Sequence, residues 1–228
     1  RRLDIFGNLV RDLEPLGRME VLESLIAASN PIADLSVLPN LRRLTDLDLA
    51  NNLITDVSIF REQGAWRLRN LNLSNNQIAD ISGLALFSRL VELRLANNLI
   101  ADLTALESHS FLRTLDLSGN QLTDLAPLAV KGSSPTGKHA TLRFFDFSDN
   151  QIVDLSPLIP YRVLGTVLFA NNRVRDLAPA ESALLAGIIQ SPNGTSPHRH
   201  PEAAVKRRNL VLDLMLEQGY LDEGEHSH

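Results

Sequence analysis

Eight aspartates recur at one spacing along the sequence, each four residues after an asparagine. Carboxylates repeated in this way could bind calcium, but a calcium site requires six or more oxygens that converge on one point. Each of these aspartates is followed by an apolar residue, and a short acidic side chain before a turn can accept bonds from backbone N–H groups, as a helix N-cap does. We therefore expect the set to cap turns and to bind no metal; its members are Asp12, Asp34, Asp56, Asp80, Asp102, Asp124, Asp154 and Asp176.

Two other segments contain residue types that could do chemistry. In "KGSSPTGKHA", Gly132, Gly137 and Lys138 match the spacing of a phosphate-binding loop. The next residue is a histidine where Ser or Thr is required, and the string reads as an insertion and not as a strand-to-helix turn. Alternating histidines near the C-terminus lack the four convergent ligands of a closed zinc site, and the chain has no cysteine. We predict no catalytic residue, no cofactor and no metal site; the histidines concerned are His198, His200, His226 and His228.

Composition sets broad limits on the class of protein. The chain has 228 residues, 44% of them hydrophobic, which allows a sizeable core. Its net charge of −5 argues against nucleic acid as a partner, and no stretch approaches the roughly 20 apolar residues of a membrane span. Leu3 and Ile5 already fit the core positions of an incomplete repeat, so we expect the natural chain to extend upstream of Arg1.

The asparagines that precede the aspartates belong to an internal repeat. The pattern L-x-L-x-x-N-x-[IL]-x-D recurs with a period of 22 residues and two insertions. Within one repeat, Leu47 and Leu49 alternate as in a short strand with one buried face. A single coil of this kind cannot enclose a core, so coils must stack. The repeated asparagines are Asn8, Asn30, Asn52, Asn76, Asn98, Asn120, Asn150 and Asn172.

The strings "LDLANNLITDVS", "NQIADIS" and "NQLTDLAPL" resemble the 22-residue class of leucine-rich repeat found in bacterial internalins and in the SDS22 phosphatase regulator. The resemblance implies an α/β solenoid of about eight coils with a parallel concave sheet over residues 1–179, interrupted by an insertion loop at 129–141. It also implies that Asn52 turns inward and bonds backbone groups of adjoining loops. Asn51, in the variable column beside it, should face solvent.

The concave face is predicted to bind a partner, because its strand columns vary from coil to coil. The column four residues before each repeated asparagine is mostly acidic, and the column two residues before is small. Neighbouring acids on strands about 4.8 Å apart repel each other unless a cation or a basic partner intervenes. A solvated acidic face with no selected partner is the alternative. The predicted partner-binding residues are Asp46, Asp48, Asn72, Glu92, Arg94, Asp116, Phe144, Asp146 and Leu168.

The composition changes after Pro179, and residues 180–228 form a second predicted unit. Proline and glycine positions predict helices at about 179–190 and 201–218, followed by a disordered end. "LLAGIIQSP" and "HRHPEAAVKRRNLVLDLMLEQGYL" resemble the last part of the peptidoglycan glycosyltransferase domain of class A penicillin-binding proteins. The motifs that carry the two catalytic glutamates of that family are absent. The resemblance therefore implies shared ancestry without activity, and we expect the segment to cap the last coil.

Together these patterns predict a non-catalytic protein-binding module, with a basic protein partner favoured by the acidic face. The resemblances imply a bacterial cell-envelope or extracellular setting. Two alternatives stay open: an accessory part or remnant of a peptidoglycan glycosyltransferase, and a cytoplasmic SDS22-like regulatory subunit of a phosphatase. The sequence does not predict the oligomeric state.

Overall fold

A computed structural model describes residues 1–61, 67–129, 141–158 and 165–174. Within these ranges, eight strands of three residues each form one parallel sheet in chain order. The sheet confirms the predicted solenoid of eight coils. The strands are β1 (Arg2–Asp4), β2 (Ser24–Ile26), β3 (Asp46–Asp48), β4 (Asn70–Asn72), β5 (Glu92–Arg94), β6 (Thr114–Asp116), β7 (Phe144–Asp146) and β8 (Thr166–Leu168).

The strands are short because each has a single inward position. In β2 to β7 the middle residue, such as Leu47 or Leu71, is buried, while the residues on either side face the concave surface. Pairing is in register from end to end, so that Leu25 lies beside Leu47 and Leu47 beside Leu71. Side chains alternate between the two faces of each strand, and the same register repeats in every coil. One buried column of side chains therefore lies between two partly exposed columns.

The convex side consists of 3₁₀ helices, and no α-helix occurs in the described ranges. A 22-residue coil leaves few residues for its outer turn, and the tighter 3₁₀ geometry suits such short runs. These helices are Glu14–Arg18, Leu38–Asn40, Ser58–Arg61, Ser82–Leu86, Thr104–Leu106, Ala126–Leu128 and Ser156–Leu158.

The aspartate ladder caps the start of each convex turn, as predicted. Asp102 Oδ1 accepts the N–H of Thr104 at 2.8 Å, and Asp154 Oδ1 accepts that of Ser156 at 2.7 Å. The same bond recurs in all seven described coils that carry the aspartate. The side-chain and backbone bonds from Thr104 lower the pKa of Asp102. Asp176 lies outside the described residues.

The core is one continuous aliphatic column with aromatic rings at two places. Phe60 and Phe87 pack edge to face with ring centroids 5.2 Å apart. Further along, Phe147 contacts Phe145 at 4.8 Å and stacks on Phe169 at 6.0 Å. Rings in successive coils thus contact one another, and each coil buries the side chains of its neighbours.

Several sequence predictions fall outside the described residues. They are the insertion with its phosphate-loop spacing at 130–140, the helices and disordered end predicted within 180–228, and the C-terminal histidines. The division of the chain into a solenoid and a capping segment stays a prediction.

One buried polar residue was not singled out from the sequence. His109 is 0% exposed and occupies the core column that holds Leu41 and Phe87 in other coils, eleven residues before the repeated asparagine. Neither ring nitrogen forms a hydrogen bond with a described residue. Desolvation by burial lowers the pKa of His109, against the weaker opposite effect of the carbonyls of Leu106 and Leu84.

We expect His109 to make the fold less stable below neutral pH. Its ordinary pKa of 6.5 is lowered in the folded chain, so the unfolded chain takes up the proton first as the pH falls below 6.5, and stability is lost from there downward. His109→Leu, which copies Leu41, should raise the free energy of unfolding by about 1–3 kcal/mol because it removes a buried polar ring whose nitrogens form no well-aligned hydrogen bond with a described residue.

Urea unfolding at pH 8 and pH 5 measures both effects. The gain from His109→Leu should be larger at pH 5 than at pH 8. An equal gain at both pH values would show that the histidine does not titrate in this range, and a loss at both would show that its nitrogens have partners.

Candidate functional site

The repeated asparagines hold the ends of the concave strands in place. Asn52 Nδ2 donates to the carbonyls of Ala27, Leu49 and Ala50 at 3.1, 2.9 and 3.1 Å. Its Oδ1 accepts the N–H of Ile32 at 3.0 Å, so the buried amide is fully bonded across two coils. Equivalent bonds recur from Asn30 to Asn172 and confirm the inward asparagine.

The residue before each repeated asparagine has a left-handed backbone, and Asn51 is exposed, as predicted. The φ angles are 54° at Asn51, 57° at Asn75 and 53° at Asn97, and Gly119 has 65°. Asparagine, aspartate and glycine tolerate this region better than other residues. We did not predict this constraint from the sequence, although the column contains only Asn, Asp, Gly and Ser.

All nine predicted partner-binding residues lie on the concave strands. Asp48, Asn72, Arg94, Asp116, Asp146 and Leu168 form one continuous column in register. Asp46, Glu92 and Phe144 belong to the parallel column two residues earlier. Each of the nine is half-buried or exposed. The structure therefore brings the predicted residues onto one surface.

Five of the nine residues also line a single concavity of about 390 Å³ on the N-terminal part of this face. They are Asp46, Asp48, Asn72, Glu92 and Arg94, together with Arg2, Ser24 and Asn70, which the sequence analysis did not select. Asp116, Phe144, Asp146 and Leu168 lie on β6, β7 and β8, beyond this concavity.

The acids of the continuous column have a structural role that the sequence analysis missed. Asp48 Oδ1 accepts the N–H of Ala50 at 3.1 Å, and Asp146 Oδ1 accepts that of Ser148 at 3.0 Å. Asp116 and Asn72 form the same bond. The column is therefore rich in Asp and Asn partly because these side chains fix the backbone ahead of the left-handed residue. Repulsion between neighbouring acids is not by itself evidence of a partner.

Other charges on the concave face are bonded to neighbours. Asp46 accepts from Asn70 Nδ2 at 2.5 Å and from Thr45 Oγ1 at 2.6 Å. Arg94 pairs with Glu92 at 3.2 Å within β5. These bonds preorganise the polar side chains, so less rotamer entropy is lost when a partner binds.

The C-terminal end of the face is more apolar than the rest. Leu168 is 42% exposed, and Phe144 is half-buried beside Thr166 of the next strand. The concave surface thus changes along the solenoid from a bonded polar lattice to a small apolar area. In the described ranges, no group of three or more His, Asp or Glu could hold a metal ion. None of the described helices has the length and apolar character needed to cross a membrane.

Comparisons with known proteins agree with the observed repeats. The family model "Leucine Rich repeats (2 copies)" matches residues 20–62 and 66–108, and "Leucine Rich repeat" matches 108–125. Internalin C2 of Listeria monocytogenes superposes with a TM-score of 0.65 at 32% identity, over 75% of this chain and 70% of that one. An internalin F from the same species gives 0.60 at 28% identity, over 80% and 58%.

A separate similarity covers the C-terminal part. The "Transglycosylase" family model matches residues 165–216. Penicillin-binding protein 1A of Streptococcus oralis is 54% identical over 48 residues, which are 21% of this chain and 8% of that protein. The Streptococcus pneumoniae protein of the same name is 47% identical over 53 residues, 23% of this chain and 7% of that protein. The chain thus matches only a small fraction of these relatives.

The transglycosylase match begins inside the last described coil. Residues 165–174 fall within the transglycosylase match, yet Asn172 Oδ1 accepts the N–H of Ile152 at 2.9 Å and β8 pairs in register with β7. The eighth coil therefore continues the repeat structurally. On the strength of its repeats, its asparagine ladder and its likeness to internalin C2, the chain belongs to the leucine-rich repeat family, with repeats of the internalin type.

Proposed function

We propose that the protein is a non-catalytic binding module whose concave face recognises a protein partner. One observation carries this proposal: two columns of partly exposed side chains run in register across eight strands, and a ladder of bonded asparagines ties successive coils together. Rigid scaffolds with variable surface positions bind macromolecules with little loss of conformational entropy.

The chemistry of the face defines the partner that it fits. Across the nine residues there are five acids and one arginine, so we expect basic side chains on the partner to contact Asp48, Asp116 and Asp146 through the carboxylate oxygens not used within the fold. An apolar side chain of the partner should contact Phe144 and Leu168. Charges at such a site mainly set the association rate, whereas a buried apolar anchor sets the dissociation rate.

The similarity to penicillin-binding proteins supports a bacterial cell-envelope or extracellular setting for this interaction. It also favours a second candidate function, in which the chain is an accessory part of a peptidoglycan glycosyltransferase. In that case, the chain would capture penicillin-binding proteins themselves. A glycan polymerisation assay would then show whether the chain stimulates their polymerisation of glycan or polymerises glycan by itself.

An affinity capture with matched variants tests the concave proposal. The full chain, immobilised, is exposed to envelope and culture-supernatant proteins of its source bacterium, and bound proteins are quantified by mass spectrometry. The triple variant Asp48→Asn, Asp116→Asn, Asp146→Asn removes three charges but keeps the bond to the backbone N–H, as Asn72 shows. We expect about tenfold lower recovery of the partner at low salt.

The matched control removes three charges from the opposite side. Asp34→Asn, Asp102→Asn and Asp154→Asn alter the convex caps while keeping an acceptor oxygen for the bonded N–H groups, and this variant should capture the partner as the parent does. Phe144→Ala should speed dissociation. If the concave and convex variants capture the same proteins in equal amounts, the concave face is not the binding site.

A further inference from the structure

A second surface with distinct chemistry lies along the edge where the coils lead into the concave sheet. Thr45, Arg69 and Val91 directly precede strands β3, β4 and β5, while Arg67, Arg89 and Phe111 stand three residues before β4, β5 and β6. These six residues line a groove of about 590 Å³. We call it the arginine groove.

The backbone ladder brings these residues together although they are far apart in sequence. Arg69 N–H donates to the carbonyl of Thr45 at 2.8 Å, and Val91 N–H donates to that of Arg69 at 2.8 Å. Leu68 lies between Arg67 and Arg69, and Leu90 lies between Arg89 and Val91. Both leucines are 0% exposed. Because the intervening leucines point inward, the residues on either side must face outward, with successive coils about 4.8 Å apart.

The charges of the groove have no counter-ions in the described part of the chain. The ion pairs found there involve Arg1, Arg2, Arg61 and Arg94, and none includes Arg67, Arg69 or Arg89. Like charges on neighbouring strands destabilise a sheet, and among the described residues no ion pair offsets the repulsion between these arginines. The arginine groove is thus a basic surface on a chain whose net charge is −5.

An apolar component accompanies the charges. Phe111 is 59% exposed and shares the groove with half-buried Val91. The groove therefore combines three planar guanidinium groups, each able to bind a carboxylate through two parallel N–H bonds, with an aromatic ring that is accessible to an apolar side chain.

We propose that the arginine groove binds an acidic protein segment that carries several carboxylates and one aromatic or aliphatic side chain. The carboxylates bond Arg67, Arg69 and Arg89, and the apolar side chain packs on Phe111. Single-stranded nucleic acid also combines anionic groups with rings that stack on aromatic side chains, and it is therefore the competing ligand in the test. This site is separate from the concave face and does not depend on it.

Peptide binding to the full chain tests the proposal. Fluorescence anisotropy is measured with a labelled peptide of sequence DEFDE, with DESDE to remove the aromatic side chain and KKFKK to reverse the charge. We expect DEFDE to bind more tightly than DESDE. Any binding of KKFKK, which suits the acidic concave face, should be unchanged by the groove substitutions. Binding of DEFDE should weaken as salt is raised, and Arg67→Gln, Arg69→Gln, Arg89→Gln together should weaken it about tenfold or more.

Two further variants complete the test. Arg11→Gln, Arg18→Gln and Arg173→Gln remove the same charge from exposed positions elsewhere and should leave binding within about twofold of the parent. Arg69→Gln alone covers the case in which the triple variant misfolds, and it should weaken binding about threefold or more. The proposal fails if DEFDE does not bind the parent at about 1 mM, if the groove and control variants bind it equally, or if single-stranded DNA of equal charge binds more tightly than DEFDE.

Discussion

Replacing Asn98 with alanine should lower the free energy of unfolding by about 3–5 kcal/mol. The Asn98 amide donates to the carbonyls of Leu73, Leu95 and Ala96 at 3.0–3.2 Å, and its Oδ1 accepts the N–H of Ile78 at 3.0 Å. Alanine removes every one of these partners inside a site that is 5% exposed. Several backbone groups would then be buried without a bond, each at a cost of about 1–3 kcal/mol before relaxation.

The neighbouring asparagine is a matched control. Asn97 is exposed and has a φ of 53°, and its side chain donates a hydrogen bond to the side chain of Asn75. Asn97→Gly keeps the left-handed backbone accessible and should change stability by less than about 1 kcal/mol. Urea unfolding followed by circular dichroism compares the two variants. Equal losses of unfolding free energy in the two variants would show that the buried asparagine contributes no more to stability than its exposed neighbour.

Gly83→Ala should destabilise the protein by about 2–4 kcal/mol. A Cβ atom at this position would lie 2.0 Å from the carbonyl oxygen of Val57 and 3.2 Å from the Cα of Ser58. Both are backbone atoms of the adjoining convex turn, so a side-chain rotation cannot relieve the overlap. The helices Ser58–Arg61 and Ser82–Leu86 would have to move apart, which would disturb the contact between Phe60 and Phe87.

A second glycine on the convex side serves as the comparison. At Gly17 an added Cβ would meet only side-chain atoms, Val37 Cγ2 at 3.1 Å and Asn40 Nδ2 at 3.4 Å. Gly17→Ala should therefore alter the thermal midpoint of unfolding by a few degrees at most, whereas Gly83→Ala should lower it clearly more. A Gly83→Ala variant that melts with the parent would mean that the two convex turns are farther apart than the structure has them.

Much of the fold and part of the candidate site could be predicted from the sequence because a solenoid repeats its contacts. The asparagine pattern predicted Asn52 as an inward, fully bonded residue, and the aspartate pattern predicted Asp102 as a cap; both are confirmed. The pattern also placed the nine concave residues in two neighbouring columns. That these residues bind a partner stays a prediction.

The local uses of individual side chains were not predictable in the same way. Asp48 and Asp116 occupy the same column as Arg94. The residue types alone do not predict that these two acids accept a hydrogen bond from the backbone N–H two residues later. His109 looks like an ordinary polar residue in the sequence, whereas the structure places it in the core column that contains Leu41 and Phe87. The same limit applies to any site formed by side chains from different columns.

By itself, the sequence determined the period of 22 residues, the leucines that face inward and the asparagine ladder, because each coil contacts only its neighbours and one repeated pattern therefore fixes every coil-to-coil bond. Only the tertiary structure decided what departs from the repeat. The column of Gly83 holds Ile59 and Ala105 in adjoining coils, yet the close approach of Val57 leaves no space for a methyl group there. It also decided that Arg67, Arg89 and Phe111 line one groove, since distances across columns depend on how closely particular coils pack, and the pattern of residue types does not specify that packing.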